Sequence, residues 1–163
     1  MAATSVVVEG ILMIAAIITA SIFASTFFVK LMEMRDVMSG MARGYSERLK
    51  TSIMIIYATY FKDQGYFVVY AKNIGKSSIF IKRMNIYFGN TTKMDLYLYN
   101  YDGIVEKGEW DYVEVDGVSD GLWNPGETLT IYIYNMTSIE PPYTVKIVAP
   151  NGYKTEETFA PLT

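Results

Sequence analysis

No charged residue occurs between Gly10 and Val29, a run of twenty Gly, Ile, Leu, Met, Ala, Phe and Val residues mixed with small Ser and Thr. As a helix at about 1.5 Å per residue it measures about 30 Å, the thickness of a bilayer's hydrocarbon core. A cleaved secretory signal would start with basic residues, carry a shorter apolar stretch and end at a small-residue cleavage site. Here no Lys or Arg precedes Lys30, and helical character continues past the run. A buried core helix is disfavoured, because little else in a chain of 163 residues could cover it. The run is therefore read as lying in lipid or in a bundle of like helices, with Gly10, Ile14, Ile18, Ile22 and Val29 along it. Glu9 stands just before it, as an interfacial acid near a helix N-terminus or as a pairing group for another chain.

After Val29 the chain becomes charged but keeps an apolar stripe at Leu31, Met34, Met38, Met41, Tyr45 and Leu49. These lie three or four residues apart, a helical face. Lys30, Glu33, Arg35, Asp36, Arg43, Glu47 and Arg48 take the other side. One helix is predicted from about Thr4 to about Lys50, weakened at Gly40 and Gly44 by about 1 kcal/mol each. Its stripe packs on the chain's own domain or on other chains. The chain thus divides into a helix, residues 1–50 (apolar anchor 10–29, amphipathic extension 30–50), and a β domain, residues 51–163.

Beyond Lys50 the apolar period becomes two. Strands are predicted over Thr51–Tyr60, Tyr66–Asn73, Ser77–Phe88, Lys93–Tyr101, Glu109–Val115, Glu127–Asn135, Tyr143–Ala149 and Tyr153–Ala160, separated by Gly, Asn, Asp and Pro turn signals. Short strands at this spacing read as an all-β antiparallel, immunoglobulin-like sandwich. In Leu96–Tyr101 and Leu129–Tyr134 aliphatic and tyrosine positions alternate. Leu96, Leu98, Leu129, Ile131 and Ile133 are expected in the core. Tyr97, Tyr99, Tyr132 and Tyr134 are expected on an outer face, either solvated or in contact with another protein.

Chemistry is poorly supplied. There is no His and no Cys, which removes the common nucleophile–base pairs, thiol redox chemistry and most zinc sites. A net charge of −3 gives no electrostatic case for nucleic acid. Acids crowd the segment from Asp102 to Glu127. Asp116, Asp120 and Glu127 could offer oxygen ligands to calcium, although their spacing is not that of an EF-hand, and solvated acidic loops are common. No carboxylate pair is fixed in a cleft as a glycosidase requires. No cofactor is expected. Asn90 and Asn135 begin sequons at turns and lean towards an extracytoplasmic domain. The positive-inside rule disagrees: Lys30, Arg35, Arg43, Arg48 and Lys50 all follow the apolar run, which alone would leave the β domain in the cytoplasm.

The segments "MAATSVVVEGILMIAAIITASIFAS" and "GYSERLKTSIMIIYA" resemble the archaellum accessory proteins of the FlaG type and, less closely, the FlaF type, within the type IV pilin-like superfamily. "AKNIGKSSI" and "NPGETLTIYI" are similar to phrases in archaeal cell-surface sandwiches. The resemblance implies a membrane-anchored protein whose sandwich lies outside the cytoplasmic membrane in the pseudo-periplasmic space, beneath the S-layer. There it would act with a FlaF-like protein as a stator or scaffold in swimming motility. The sandwich and sequons, with this resemblance, outweigh the positive-inside signal. The partners implied are a FlaF-like protein, the S-layer, the archaellum filament and further copies of the chain. The alternative is an archaellin- or pilin-type filament subunit, extracellular and polymerising through the helix. The start at Met1 without a basic leader favours the accessory type. A third reading is an anchored adhesion or binding sandwich. An enzyme comes last.

Overall fold

The computed structural model describes residues 2–61, 64–104, 106–115, 119–134 and 139–160. One helix, α1, runs from Ala2 to Lys50. The described strands are β1 Ile53–Phe61, β2 Tyr66–Asn73, β3 Ile79–Phe80, β4 Asn85–Asn90, β5 Met94–Tyr99, β6 Glu109–Glu114, β7 Leu122–Trp123, β8 Thr128–Tyr134, β9 Tyr143–Val148 and β10 Lys154–Phe159. Two compact units result, Met1–Gly44 and Tyr45–Thr163.

In the first unit every side chain from Val6 to Gly44 is exposed, Phe23 at 74% and Met13 at 68% among them. The hydroxyls in the apolar run turn back on their own helix. Thr19 donates to Ala15 O at 2.8 Å, Ser21 to Ile17 O at 2.8 Å, and Ser25 and Thr26 to Ile22 O at 2.9 Å. This leaves the run with no unsatisfied hydroxyl donor, the condition a hydrocarbon surrounding imposes.

In the second unit eight strands form one sheet in the order β1-β2-β8-β6-β5-β4-β9-β10, and β3 pairs with β7. All pairings are antiparallel except β5 with β6, a short parallel bridge at Leu98–Glu109 and Tyr99–Trp110. The sheet folds over at that bridge, so that β1-β2-β8-β6 faces β5-β4-β9-β10. Phe67 of β2 lies 4.3 Å from Phe88 of β4 and 4.7 Å from Tyr143 of β9, ring centre to ring centre, across the gap. The core between the halves holds Phe67, Val69 and Ala71 of β2, Leu129, Ile131 and Ile133 of β8, Ile86 and Phe88 of β4, and Val145 and Ile147 of β9, with Trp110 and Trp123. This is the alternation that a sheet buried on one side requires.

The expected strand Ser77–Phe88 is broken into β3, a 3-10 turn at Ile81–Arg83 and β4. Ile79 and Ile81 point inward, then Met84, Ile86 and Phe88. The step of three between Ile81 and Met84 is where period two fails, and the turn absorbs the extra residue. A bulge between Ile55 and Tyr57 does the same in β1.

Candidate interaction surfaces

The anticipated tyrosine face is divided by the structure. In β8 the pattern holds: Leu129, Ile131 and Ile133 are fully buried, and Tyr132 and Tyr134 are half-buried on the outer side. In β5 it is inverted. Tyr97 is 1% exposed, whereas Leu96 is 42% and Leu98 64% exposed. The cause is register. Tyr97 pairs with Ile86, an inward residue of β4, and its ring meets Phe88 edge-on at 5.9 Å. Tyr99 stands at the end of the core, against Trp110 at 5.2 Å and Tyr112 at 5.8 Å, away from the β8 tyrosines. Tyr97 and Tyr99 therefore do not share an outer face with Tyr132 and Tyr134.

A larger aromatic surface covers the outer side of β1-β2-β8. Cross-strand rows place Phe61 beside Tyr66 and Tyr134, Thr59 beside Val68 and Tyr132, and Tyr57 beside Tyr70 and Thr130. Tyr66 meets Tyr132 at 5.6 Å and Tyr134 at 5.8 Å, both edge-on. Val68 points outward yet is 2% exposed, because the surrounding rings cover it. Burial pushes the phenols of Tyr132 and Tyr134 above the usual tyrosine value. Neighbouring Tyr70 and Tyr66 add to this for Tyr132, and Asp111 for Tyr134. The rings therefore stay neutral across the physiological range. Tyr57, Phe61, Tyr66 and Tyr70 escaped the sequence reading. "YFVVYAKN" carries the signal as an alternation, but only the register with β8 joins the rows.

The second unit begins with the last turn of α1. Lys76 N donates to Lys50 O at 2.6 Å and Ile74 N to Ser52 O at 2.9 Å. Asn151, in the turn between β9 and β10, donates to Thr51 Oγ1 at 2.6 Å and Glu47 O at 3.3 Å. Ser77 Oγ donates to Glu47 Oε2 at 3.2 Å. Two of these bonds, to Lys50 O and Glu47 O, take up carbonyls of the kind a helix end leaves unpaired. Gly75 makes the approach possible, since a Cβ there would lie 2.5 Å from both Lys50 O and Ser52 N. Behind it Asn73 is fully buried. Its Nδ2 donates to Trp123 O at 2.8 Å and Ser77 O at 3.0 Å, and its Oδ1 accepts from Gly75 N at 3.0 Å. Gly126 N donates to Asn73 O at 2.7 Å. The phrases "AKNIGKSSI" and "NPGETLTIYI" thus meet in one place, below the helix end.

Two of the three proposed calcium ligands accept hydrogen bonds within their own loop. Glu127 accepts from Asn124 N at 2.7 Å and Asn124 Nδ2 at 3.2 Å, and Asp120 accepts from Leu122 N at 2.8 Å. Asp116 lies outside the described residues, as does Asn135. Among the described residues no three metal-ligating side chains assemble. Asn90 is the last residue of β4, and its Oδ1 caps the turn to β5 by accepting from Thr92 N at 3.0 Å and Lys93 N at 2.8 Å. The helix residues Gly10, Ile14, Ile18, Ile22 and Val29 are exposed, as are Leu31, Met34, Met38, Met41 and Tyr45 of the stripe.

The model of the archaeal-type flagellin family matches residues 3–159. The chain belongs to the archaeal-type flagellin family. Among solved structures, this member is similar to the archaellum periplasmic stator protein FlaG from Sulfolobus acidocaldarius. The two are 27% identical with a TM-score of 0.54, over 67% of this chain and 99% of that one. It is also similar to a chain of the periplasmic stator complex of FlaF and FlaG from the same organism, at 27% identity and TM-score 0.53, over 66% of this chain and 87% of that one. An archaeal flagellin from Methanocaldococcus jannaschii shares the fold, at 13% identity and TM-score 0.53, over 68% of this chain and 90% of its own. Comparison with curated proteins gave no match. These relatives are structural parts of archaella rather than enzymes, and this family member has a structural role in the archaellum.

Proposed function

We propose that this family member is a membrane-anchored stator or scaffold of the archaellum, with its β unit outside the cytoplasmic membrane. The observation that carries the reading is 27% identity to a periplasmic stator protein over two-thirds of the chain. The apolar part of the helix, with mean hydropathy 2.4 over an 18-residue window and none of it buried, supports the anchor. The stator complex of FlaF and FlaG supports a FlaF-like protein as partner. The S-layer is proposed as the fixed support behind it. The aromatic rows on β1, β2 and β8 give that partner a surface rich in tyrosine, one of the residue types enriched among the anchors of protein contacts.

A second reading is a filament subunit. The family match embraces the helix together with the sandwich, and an uncovered helix is what a filament core requires. Deleting the gene separates the two. For a stator, cells keep their filaments under the electron microscope but stop swimming. Loss of the filaments themselves would move the assignment to the subunit. Protease added to intact cells stripped of the S-layer should digest the β unit, and protection would place it in the cytoplasm.

A further inference from the structure

A second surface lies apart from the aromatic rows. A groove of about 410 Å³ runs between the 3-10 turn after β3 and the end of β5. Tyr99, Tyr101, Lys82, Arg83, Asn85, Asp102 and Glu109 are among its lining residues, two cations and two acids. Its size falls in the range of small-ligand sites.

Its two cations are held by rings, not by acids. Lys82 Nζ sits 5.6 Å from the centre of the Tyr99 ring, and the Arg83 guanidinium 5.3 Å from that of Phe80. No ion pair among the described residues includes either one. A guanidinium over a ring keeps its N–H edge available for a carboxylate or sulfate. Tyr101 is 77% exposed but not loose: its hydroxyl donates to Lys82 O at 3.3 Å, and its ring meets Tyr99 edge-on at 4.7 Å. An ordered, exposed ring offers an apolar plane. Glu109 Oε2 accepts from Glu106 N at 3.2 Å, which holds the carboxylate by one oxygen and leaves the other for hydroxyl donors.

Asp102 is held in the same way, its Oδ1 accepting from Ile104 N at 2.9 Å. An aromatic plane beside two cations outside any ion pair, with two such acids and an amide to meet hydroxyls, fits one ligand class. A sugar ring has an apolar face and a rim of hydroxyls, and a uronic or sulfated sugar adds the anion. We infer that this groove binds an acidic saccharide, the sugar lying on Tyr101 with its anionic group at Arg83 and Lys82.

The test uses the full chain in a phosphocholine detergent, so that no sugar headgroup competes. A hexasaccharide of alternating glucuronic acid and N-acetylglucosamine is titrated by calorimetry, with neutral chitohexaose beside it. Saturation-transfer NMR reports which sugar protons touch protein. The acidic hexasaccharide should bind and the neutral one should bind at least about tenfold more weakly, the scale of a charge-assisted pair. Arg83→Ala should weaken the acidic sugar about tenfold, and Tyr101→Ala should weaken both. Lys146→Ala, which removes a cation on another strand, should change neither. No binding of the acidic hexasaccharide, equal binding of the neutral one, or indifference to Arg83→Ala and Tyr101→Ala would each overturn the assignment. Circular dichroism checks each variant, and Lys82→Gln replaces Arg83→Ala if that one fails to fold.

Discussion

The two units of this chain handle apolar side chains in opposite ways. From Val6 to Gly44 every one is outside, whereas from Ile53 to Ala149 the large aliphatics and both tryptophans are mostly inside, between two sheet halves. Both stretches satisfy their own backbone, the helix along its axis and the strands across their ladders. They differ in where the driving force for burial is met. The β unit closes its apolar faces against each other. The helix has none of its apolar surface covered, and lipid or other helices must cover it.

The sharpest way to break this contrast is to separate the units. Residues 45–163 alone should be soluble, monomeric at low concentration and cooperatively folded, and the full chain should need detergent. A full chain that stays monodisperse in buffer by light scattering would refute it. Within the β unit, β5 provides the next test. Tyr97→Ala should cost about 3–5 kcal/mol as a large cavity in the core, whereas Leu98→Ala should stay within about 0.5 kcal/mol. Urea midpoints measure both, and the opposite ranking would restore the face predicted from sequence. Asn73→Ala strips three hydrogen bonds, one from a buried and two from part-buried partners, and should cost about 2–3 kcal/mol, with the effect seen in hydrogen exchange at Ile74, Lys76 and Thr51.

Smaller effects distinguish a contact surface from a merely packed one. Tyr132→Ser and Tyr134→Ser should each cost stability up to about 1 kcal/mol, because they only pack on their own sheet, yet weaken association with a FlaF-like sandwich by about 2 kcal/mol or more. Unchanged association in a folded variant would move the interface to the stripe from Leu31 to Leu49. The weakest signal is a pH slope. Burial, with help from Tyr99 and nearby acids, pushes the Tyr112 phenol up to about 12. The folded state then holds that proton more tightly than the unfolded chain, whose phenols titrate near pH 10. The contribution is intact below about pH 10 and is lost as pH rises towards 12. Tyr112→Phe should flatten the fall of the urea midpoint over that range.

The helix and the class of the β unit were legible because each rests on periodicity alone. Which side of a strand faces inward was not always so. In β8 the aliphatic face outcompetes the tyrosines and the guess is safe. In β5 both sets are apolar enough to be buried, and the decision belongs to the pairing of Tyr97 with Ile86, which no single strand reveals. The same limit hid Tyr57, Phe61, Tyr66 and Tyr70, whose rows exist only across strands. The break at Lys82–Arg83 could have been seen, since the step from Ile81 to Met84 violates period two. It was hidden because Lys and Arg are unremarkable in an exposed strand. The groove needed that turn and the end of β5 to be brought together, which is a fact of topology.

The attachment of residues 47–52 has a mechanical meaning. A chain joined to a domain by one covalent strand can swivel about that strand. Here the segment is gripped from two sides, by the loop after β2 at Ile74, Lys76 and Ser77, and by Asn151 in the turn before β10. Those two loops issue from opposite halves of the folded sheet. A displacement of residues 47–52 therefore strains both loops. The strain is shared between both halves of the sandwich, so this segment is a keystone of the β unit rather than a loose lead into it.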